Sequence, residues 1–419
     1  MYELFGKRLR HSSSLQPKIR RPRQTRGHDL AMTHFLKDIL RQPEALRRTI
    51  SLLSQDGGGR PALEAATGAI RGARHVYLTG IGSSWHAALN VSALFHEHAY
   101  PVYLQDADEL LRSAAFPKDS AMIIISRSGK STEIVQLAAK ARQAGVTVIG
   151  ITNAAEGTLA KEAHTAIVVP IAFDHTISVN TYTTLALAAG MLASSVVATP
   201  GQNGKKKADS SGSGYGGPQP EGRNDKSGVF RREAELVASL TRAVAEAGRA
   251  IPEWQEQIAR SAWLAPRSTT YFLARGSSLG SAYESRLMWE EGVKTPATAM
   301  GTGGFRHGPL EVIAKEMRFA MWIDGARMRE QDLAVARDLR KLGARVMLIG
   351  QKVPEDAADL VLQLPAIQPE WQFLIDIIPA QLVAERLAQL SKVDCDTFRL
   401  CAFVVEGEGG LLPKETGKN

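Results

Sequence analysis

Apolar residues recur at three- and four-residue spacing over residues 33–53, where Phe35, Leu36, Ile39, Leu40, Leu46 and Ile50 would share one face, and this predicts a helix. Residues 75–78 read as a short buried strand closed by Gly80-Ile81-Gly82, and the helix predicted next turns Ala87, Ala88, Val91, Leu94 and Phe95 to one side. Residues 122–125 are a continuous apolar strand. The following helix carries Ile134, Leu137, Ala138 and Ala141, stops at Gly145, and leads to a strand over 146–151. Strand and helix alternating in this way predict a parallel sheet covered on both faces.

The pattern breaks over 199–228, a stretch of Gly, Ser, Lys, Asn and Pro that reads as a flexible linker. A helical pattern resumes over 230–250, and residues 270–274 form a strand ahead of Gly276-Ser277-Ser278. The second half repeats the first. Gly82-Ser83-Ser84 matches Gly276-Ser277-Ser278 at an offset of 194, Gly129 matches Gly325 at 196, and Gly145 matches Gly343 at 198. Three landmarks at nearly one offset predict two copies of one α/β domain. The expected division is a disordered basic head over 1–31, a first domain over 32–198, the linker over 199–228, a second domain over 229–395 and a tail over 396–419.

Composition and charge refine this picture. The formal charge of +8 falls almost wholly on the head, with eight Lys and Arg against Glu3 and Asp29, and on the linker. The predicted domains are therefore close to neutral and offer no nucleic-acid surface. Met32 opens the first patterned segment and is a candidate start of translation. No apolar run reaches the length of about 18 residues that a membrane span needs, and no apolar stretch follows the head's charges as a secretory signal requires. Cys395 and Cys401 are the only two cysteines, too few for a disulfide framework, so a reducing, cytoplasmic setting is expected. No metal spacing is present among the histidines, and neither metal nor cofactor is expected.

In open parallel sheets, ligands bind beyond the carboxyl ends of the strands. Two loops there are dense in hydroxyls: Gly82-Ser83-Ser84 and Ser126-Arg127-Ser128-Gly129-Lys130-Ser131-Thr132. Each lies between a strand and a helix start, where unpaired N–H groups and the helix dipole favour an anion such as a phosphate monoester. The alternative is that these serines only cap their helices. Gly129-Lys130-Ser131 is not a nucleotide P-loop, because Ile124 stands where that motif has its first glycine. Gly80-x-Gly82 is not a dinucleotide fingerprint, because Trp85 stands at the third glycine.

The serine loop Ser126-Arg127-Ser128-Gly129, the tandem repeat, the run Arg306-His307-Gly308-Pro309-Leu310 and the opening Arg41-Gln42-Pro43-Glu44-Ala45-Leu46 together resemble the isomerase half of glucosamine-6-phosphate synthase. The resemblance covers about residues 32–406 apart from the linker. It implies two tandem sugar isomerase (SIS) domains, each a flavodoxin-like sandwich of a parallel sheet between helices. It implies a sugar-phosphate substrate held by Ser83, Ser84, Ser126, Arg127, Ser128, Ser131 and Ser178. It also implies Glu291 as the base that moves a proton between C1 and C2, and His307 as the ring-opening group supplied across a homodimer with shared sites.

This sequence departs from the family at several positions. Arg127 replaces a neutral amide, Met288 replaces a lysine one turn before the base, and Cys401 is the approximate match to a lysine that forms an imine with the open sugar. Tyr2 stands where the synthase has its glutaminase cysteine. The expected activity is aldose–ketose isomerisation coupled to deamination or deglycation of a hexosamine or fructosamine phosphate, without glutamine hydrolysis. The competing expectation is a non-catalytic sugar-phosphate sensor.

Overall fold

The computed structural model describes residues 32–198, 226–264 and 268–407. Helices α1 (His34–Leu53) and α2 (Arg60–Gly72) lead into β1 (His75–Thr79), α3 (Ser83–Glu97), β2 (Tyr103–Leu104), α4 (Ala107–Ser113) and β3 (Ser120–Ser126). Then come α5 (Thr132–Gln143), β4 (Thr147–Thr152), α6 (Thr158–Glu162), β5 (Thr165–Val168) and α7 (Asn180–Val197). The second half runs α8 (Lys226–Arg260), β6 (Thr270–Ala274), α9 (Leu279–Met288), β7 (Ala297–Gly301), α10 (Thr302–Phe305) and β8 (Arg318–Ile323). It closes with α11 (Arg329–Lys341), β9 (Arg345–Gly350), β10 (Leu360–Gln363) and α12 (Phe373–Leu390).

Each half holds a five-stranded parallel sheet, in the orders β2-β1-β3-β4-β5 and β7-β6-β8-β9-β10, which are one order twice. Continuous apolar runs dictate this. Every residue of β3 and of β8 is buried, as a central strand covered on both faces must be. Leu78 pairs with Ile123, and Ile123 pairs with Ile149. The expected pair of α/β domains is what the chain forms.

One apolar cluster runs from Phe35 and Ile39 through α7 to Trp289, Trp322 and α12, so the two sheets share a core. A smaller cluster backs each sheet on its outer face, around Ile124 and Leu137 in one case and Phe319 and Leu339 in the other. The described residues from Thr33 onward accordingly pack as a single unit. The expected head (1–31) lies outside the described residues, as do 199–225 of the expected linker. Residues 226–228, also assigned to the linker, open α8 instead. Residues 396–407 run back over the first half, where the Asp396 carboxylate accepts from the N–H groups of His34 and Phe35 at 2.8 Å each and so caps α1.

The halves meet most closely where α3 crosses α9. A Cβ on Gly280 would overlap the backbone carbonyl of His86 and the side-chain amide of Asn90, so only glycine allows this approach. Gly280→Ala is therefore expected to destabilise the chain by about 1–3 kcal/mol through overpacking. Denaturant melts of the variant against its parent, read by tryptophan fluorescence, check this.

Candidate active site

In each sheet the chain leaves the first strand for one edge and returns on its other side, so β1 and β3 flank the switch point where α/β sheets bind ligands. The loops that follow these two strands carry the predicted serines. A cavity of about 250 Å³ opens there, and its wall includes Ser83, Ser84, Ser126, Arg127, Ser128, Ser131, Ser178 and Glu291. That is near the lower end of the about 300–1,000 Å³ usual for small-molecule sites. Eight of the nine expected site residues are thus neighbours, although Glu291 comes from the second half. The ninth, His307, is exposed beyond α10 and does not line this cavity.

Local structure fixes each wall. Gly129 takes φ +62°, which turns the β3–α5 loop tightly enough for the Ser126 hydroxyl to accept from the Gly129 N–H at 3.1 Å. The Ser128 hydroxyl accepts from the Lys130 N–H at 3.2 Å. The N-termini of α3 and α5, with their positive dipole ends, both begin at the cavity. The hydroxyls of Ser84 and Ser131 make no hydrogen bond to the described residues and can donate to a ligand.

Ser178 is held from behind. The buried Asp174 carboxylate accepts from the N–H groups of Val179, Asn180 and Thr181 at 2.9–3.0 Å, tying down the loop before α7. Arg127 lines the cavity but is engaged by protein. One terminal nitrogen donates to the Ser178 hydroxyl at 3.0 Å, the other donates to the Phe403 carbonyl at 2.5 Å, and the guanidinium lies 4.0 Å from the centre of the Phe403 ring. Burial lowers the Arg127 pKa, while the charges of Asp174 and Glu291 work to hold it up.

Glu291 sits where helix α9 changes character. The sequence spacing predicts that Glu284, Met288 and Glu291 share one face of a continuous α-helix. Instead the backbone widens into a π turn over Trp289–Val293 and ends at Lys294 in the left-handed region, φ +58°. Such turns often mark functional sites, because the extra residue re-aims a side chain. Lys294 holds the turn, its ammonium donating to the Glu291 and Thr397 carbonyls. Burial first, and then the charge of Glu284, push the Glu291 pKa up to about 8, against the opposing effects of Arg127 and Lys294. A carboxyl group poised near neutrality can both take and return a proton.

Two parts of the site carry no motif. The roof is Phe398 and Cys401 through Val405, and the Val405 carbonyl accepts from the Thr132 N–H at 2.9 Å at the start of α5. This tail has no helix or strand period to betray it, although Cys401 falls at the cavity as its family match implies. Burial, reinforced by Glu291, raises the Cys401 thiol pKa, so the group stays protonated at neutral pH and does not replace an amine. Met288, the other lost lysine position, is fully buried. The second unpredicted part is Glu284. Its carboxylate accepts from the Ser83 hydroxyl at 3.0 Å and lies 2.7 Å from Nδ1 of His86.

The repeated loop in the second half is not a second such site. The Ser278 and Ser281 hydroxyls donate to the Asp376 carboxylate at 2.6 and 2.7 Å, and the Ser277 hydroxyl donates to the Pro369 carbonyl at 2.8 Å. A carboxylate of the chain itself occupies the place of an anion. Asp376 is fully buried, and burial raises its pKa to about 7.

Among the described residues no helix is long and apolar enough to cross a membrane. Residues 69–195 match the SIS domain family. The chain is 25% identical over 386 residues to a glutamine–fructose-6-phosphate aminotransferase (isomerizing) of Pyrobaculum aerophilum, covering 90% of this chain and 58% of that relative. Its fold is similar to the C-terminal domain of glucosamine-fructose-6-phosphate aminotransferase from Francisella tularensis, with a TM-score of 0.72 at 20% identity, covering 88% and 99% of the two chains. It is also similar to a glucosamine-6-phosphate deaminase from Thermotoga maritima, with a TM-score of 0.67 at 21% identity, covering 89% and 99%. The chain thus spans less than two thirds of the length of the aminotransferase it matches. The chain carries an SIS domain at residues 69–195 and repeats that fold in its second half, a tandem SIS architecture resembling the isomerase half of glucosamine-6-phosphate synthase.

Proposed function

We propose that this chain is a sugar-phosphate enzyme that enolises a phosphorylated amino sugar or fructosamine at C1/C2, with release of the amine and without glutamine hydrolysis. The observation that carries the reading is the placement of Glu291, a carboxyl group with its pKa near 8, in the same cavity as the serine loops. The loop hydroxyls, N–H groups and helix N-termini bind the phosphate and fix the sugar. The ionised Glu291 takes a proton from one carbon and returns it to its neighbour through an enediol or enolamine. Solvent water then adds to the resulting C=N bond, whose C–N bond breaks to release the amine and leave a carbonyl. Arg127, beside Ser178, supplies positive charge next to the anion.

His307 enters the reaction only if a second copy brings it to the cavity. Its exposure and its position away from the cavity of its own chain support a homodimer with shared sites. The loss of amines at Met288 and Cys401 supports ring opening without a protein imine, and it is also the feature that favours the sensor reading. Turnover separates the two. The full chain is offered glucosamine 6-phosphate, fructose 6-phosphate and 6-phosphorylated fructosamines, and isomer, ammonia and amino-acid release are measured. Binding of these ligands with no turnover of any would establish the sensor.

Glu291→Gln is expected to lower kcat by at least about 100-fold with sugar-phosphate binding retained, since a general base contributes about 10²–10⁴. The kcat/KM of the unaltered chain is expected to rise with pH through about 8, as Glu291 ionises, and initial rates over a pH series check this. Titration calorimetry is expected to give one sugar phosphate per chain, because Asp376 closes the second loop. Ser84→Ala and Ser131→Ala are each expected to weaken binding by about 0.5–3 kcal/mol, the range for one hydrogen bond to a charged or neutral group.

The raised pKa of Glu291 also bears on stability. The folded chain keeps a proton that the unfolded chain loses above the ordinary glutamate range, so this contribution is present at acid pH and is lost as pH rises through about 8. Glu291→Gln is therefore expected to gain in denaturant midpoint relative to the parent as pH rises towards 9.

A further inference from the structure

We propose that His86 and Glu284 are a positioning pair for the reaction at Glu291. His86 fixes the Glu284 carboxylate, which turns Ser83 into a hydrogen-bond acceptor facing the substrate and sets the field in which Glu291 exchanges its proton. This rests on the enolisation reading above. The pair is 3% and 1% exposed and joins the halves, His86 on α3 and Glu284 on α9. A buried polar contact of this kind adds little stability over a well-packed apolar pair. Its place in the molecule suits a role in the chemistry better, because it lies behind the cavity wall and two turns ahead of the catalytic carboxyl.

Two consequences follow from the geometry. The single proton of the Ser83 hydroxyl points to Glu284, 3.0 Å away. Toward the cavity Ser83 can then only accept, which fits a sugar hydroxyl or an amine and excludes a phosphoryl oxygen. The phosphate is left to the donors of Ser84, Ser131 and the β3–α5 loop, so the pair orients the sugar end-on, with its reacting carbons away from the phosphate cradle. Glu284 also opposes the ionisation of Glu291. The other charged or titratable groups facing Glu291 are Arg127 from the β3–α5 loop, Lys294 and Glu290 from its own segment, and Cys401 from the tail. Tyr182 on α7 feels Glu284 from the third side.

The test uses the full chain labelled with carboxyl-¹³C glutamate, with the Glu291 resonance assigned by its loss in Glu291→Gln. In Glu284→Gln the Glu291 midpoint is expected to fall by about one pH unit, as removal of a neighbouring like charge requires. The ascending limb of kcat/KM for glucosamine 6-phosphate or fructose 6-phosphate is expected to move with it. His86→Leu is expected to lower kcat about tenfold or more through misplacement of the site, with His86→Gln, which keeps a donor, restoring most of the loss. An unchanged Glu291 midpoint in Glu284→Gln, or equal kcat losses in the Leu and Gln variants of His86, overturns the pair. Failure of the enolisation reading shows itself separately, as no turnover of either sugar phosphate by the unaltered chain, and the carboxyl titration is readable in that case too.

Discussion

The close crossing of α3 over α9 is the contact on which the site depends. The serine loops belong to the first half and Glu291 to the second, so neither half holds a complete cavity. Gly280 lets the two helices approach until the Glu284 carboxylate reaches both Ser83 and His86. The shared apolar core under α7 and α12 covers both sheets in this arrangement. Packing, and not the loops themselves, brings the Glu291 carboxyl group to the serine-lined cavity.

The two copies of the fold have diverged in a physically simple way. Both keep a hydroxyl-bearing loop after the first strand. In the second copy Ser278 is closed by Asp376 from α12 and Ser277 by the Pro369 carbonyl, and in the first Ser83 donates to Glu284 while Ser84 faces an open cavity. One loop has become structure and the other remains available for a ligand. Internal satisfaction of polar groups in one copy is what a buried loop requires.

Electrostatics give the cavity its character. Donors and helix N-termini line it together with a carboxyl group whose pKa is raised by burial and by Glu284. Arg127 holds Ser178 and also grips the tail through the Phe403 carbonyl and ring. A guanidinium at this position therefore does structural work that a neutral amide could share only in part, because the stacking contact needs its delocalised charge.

The sequence by itself determined the elements and their order. Continuous apolar runs at 122–125 and 146–151 and the repeated glycines specified two parallel sheets, because burial on both faces admits no other pattern. It also marked the serine loops, since hydroxyls and glycine between a strand and a helix are a local signal, and the family likeness singled out Glu291. Tertiary structure decided what no local signal could carry. The π turn that carries Glu291 is held by Lys294 through the carbonyl of Thr397, a hundred residues on. The roof over 398–405 has no period because it is held by isolated contacts, the Val405 carbonyl to α5 and the Phe403 carbonyl and ring to Arg127. Glu284 and His86 meet across 198 positions of sequence. Contacts between residues so far apart are set by how helices cross, and helix crossing is decided by packing of whole faces, which a reading along the chain does not see.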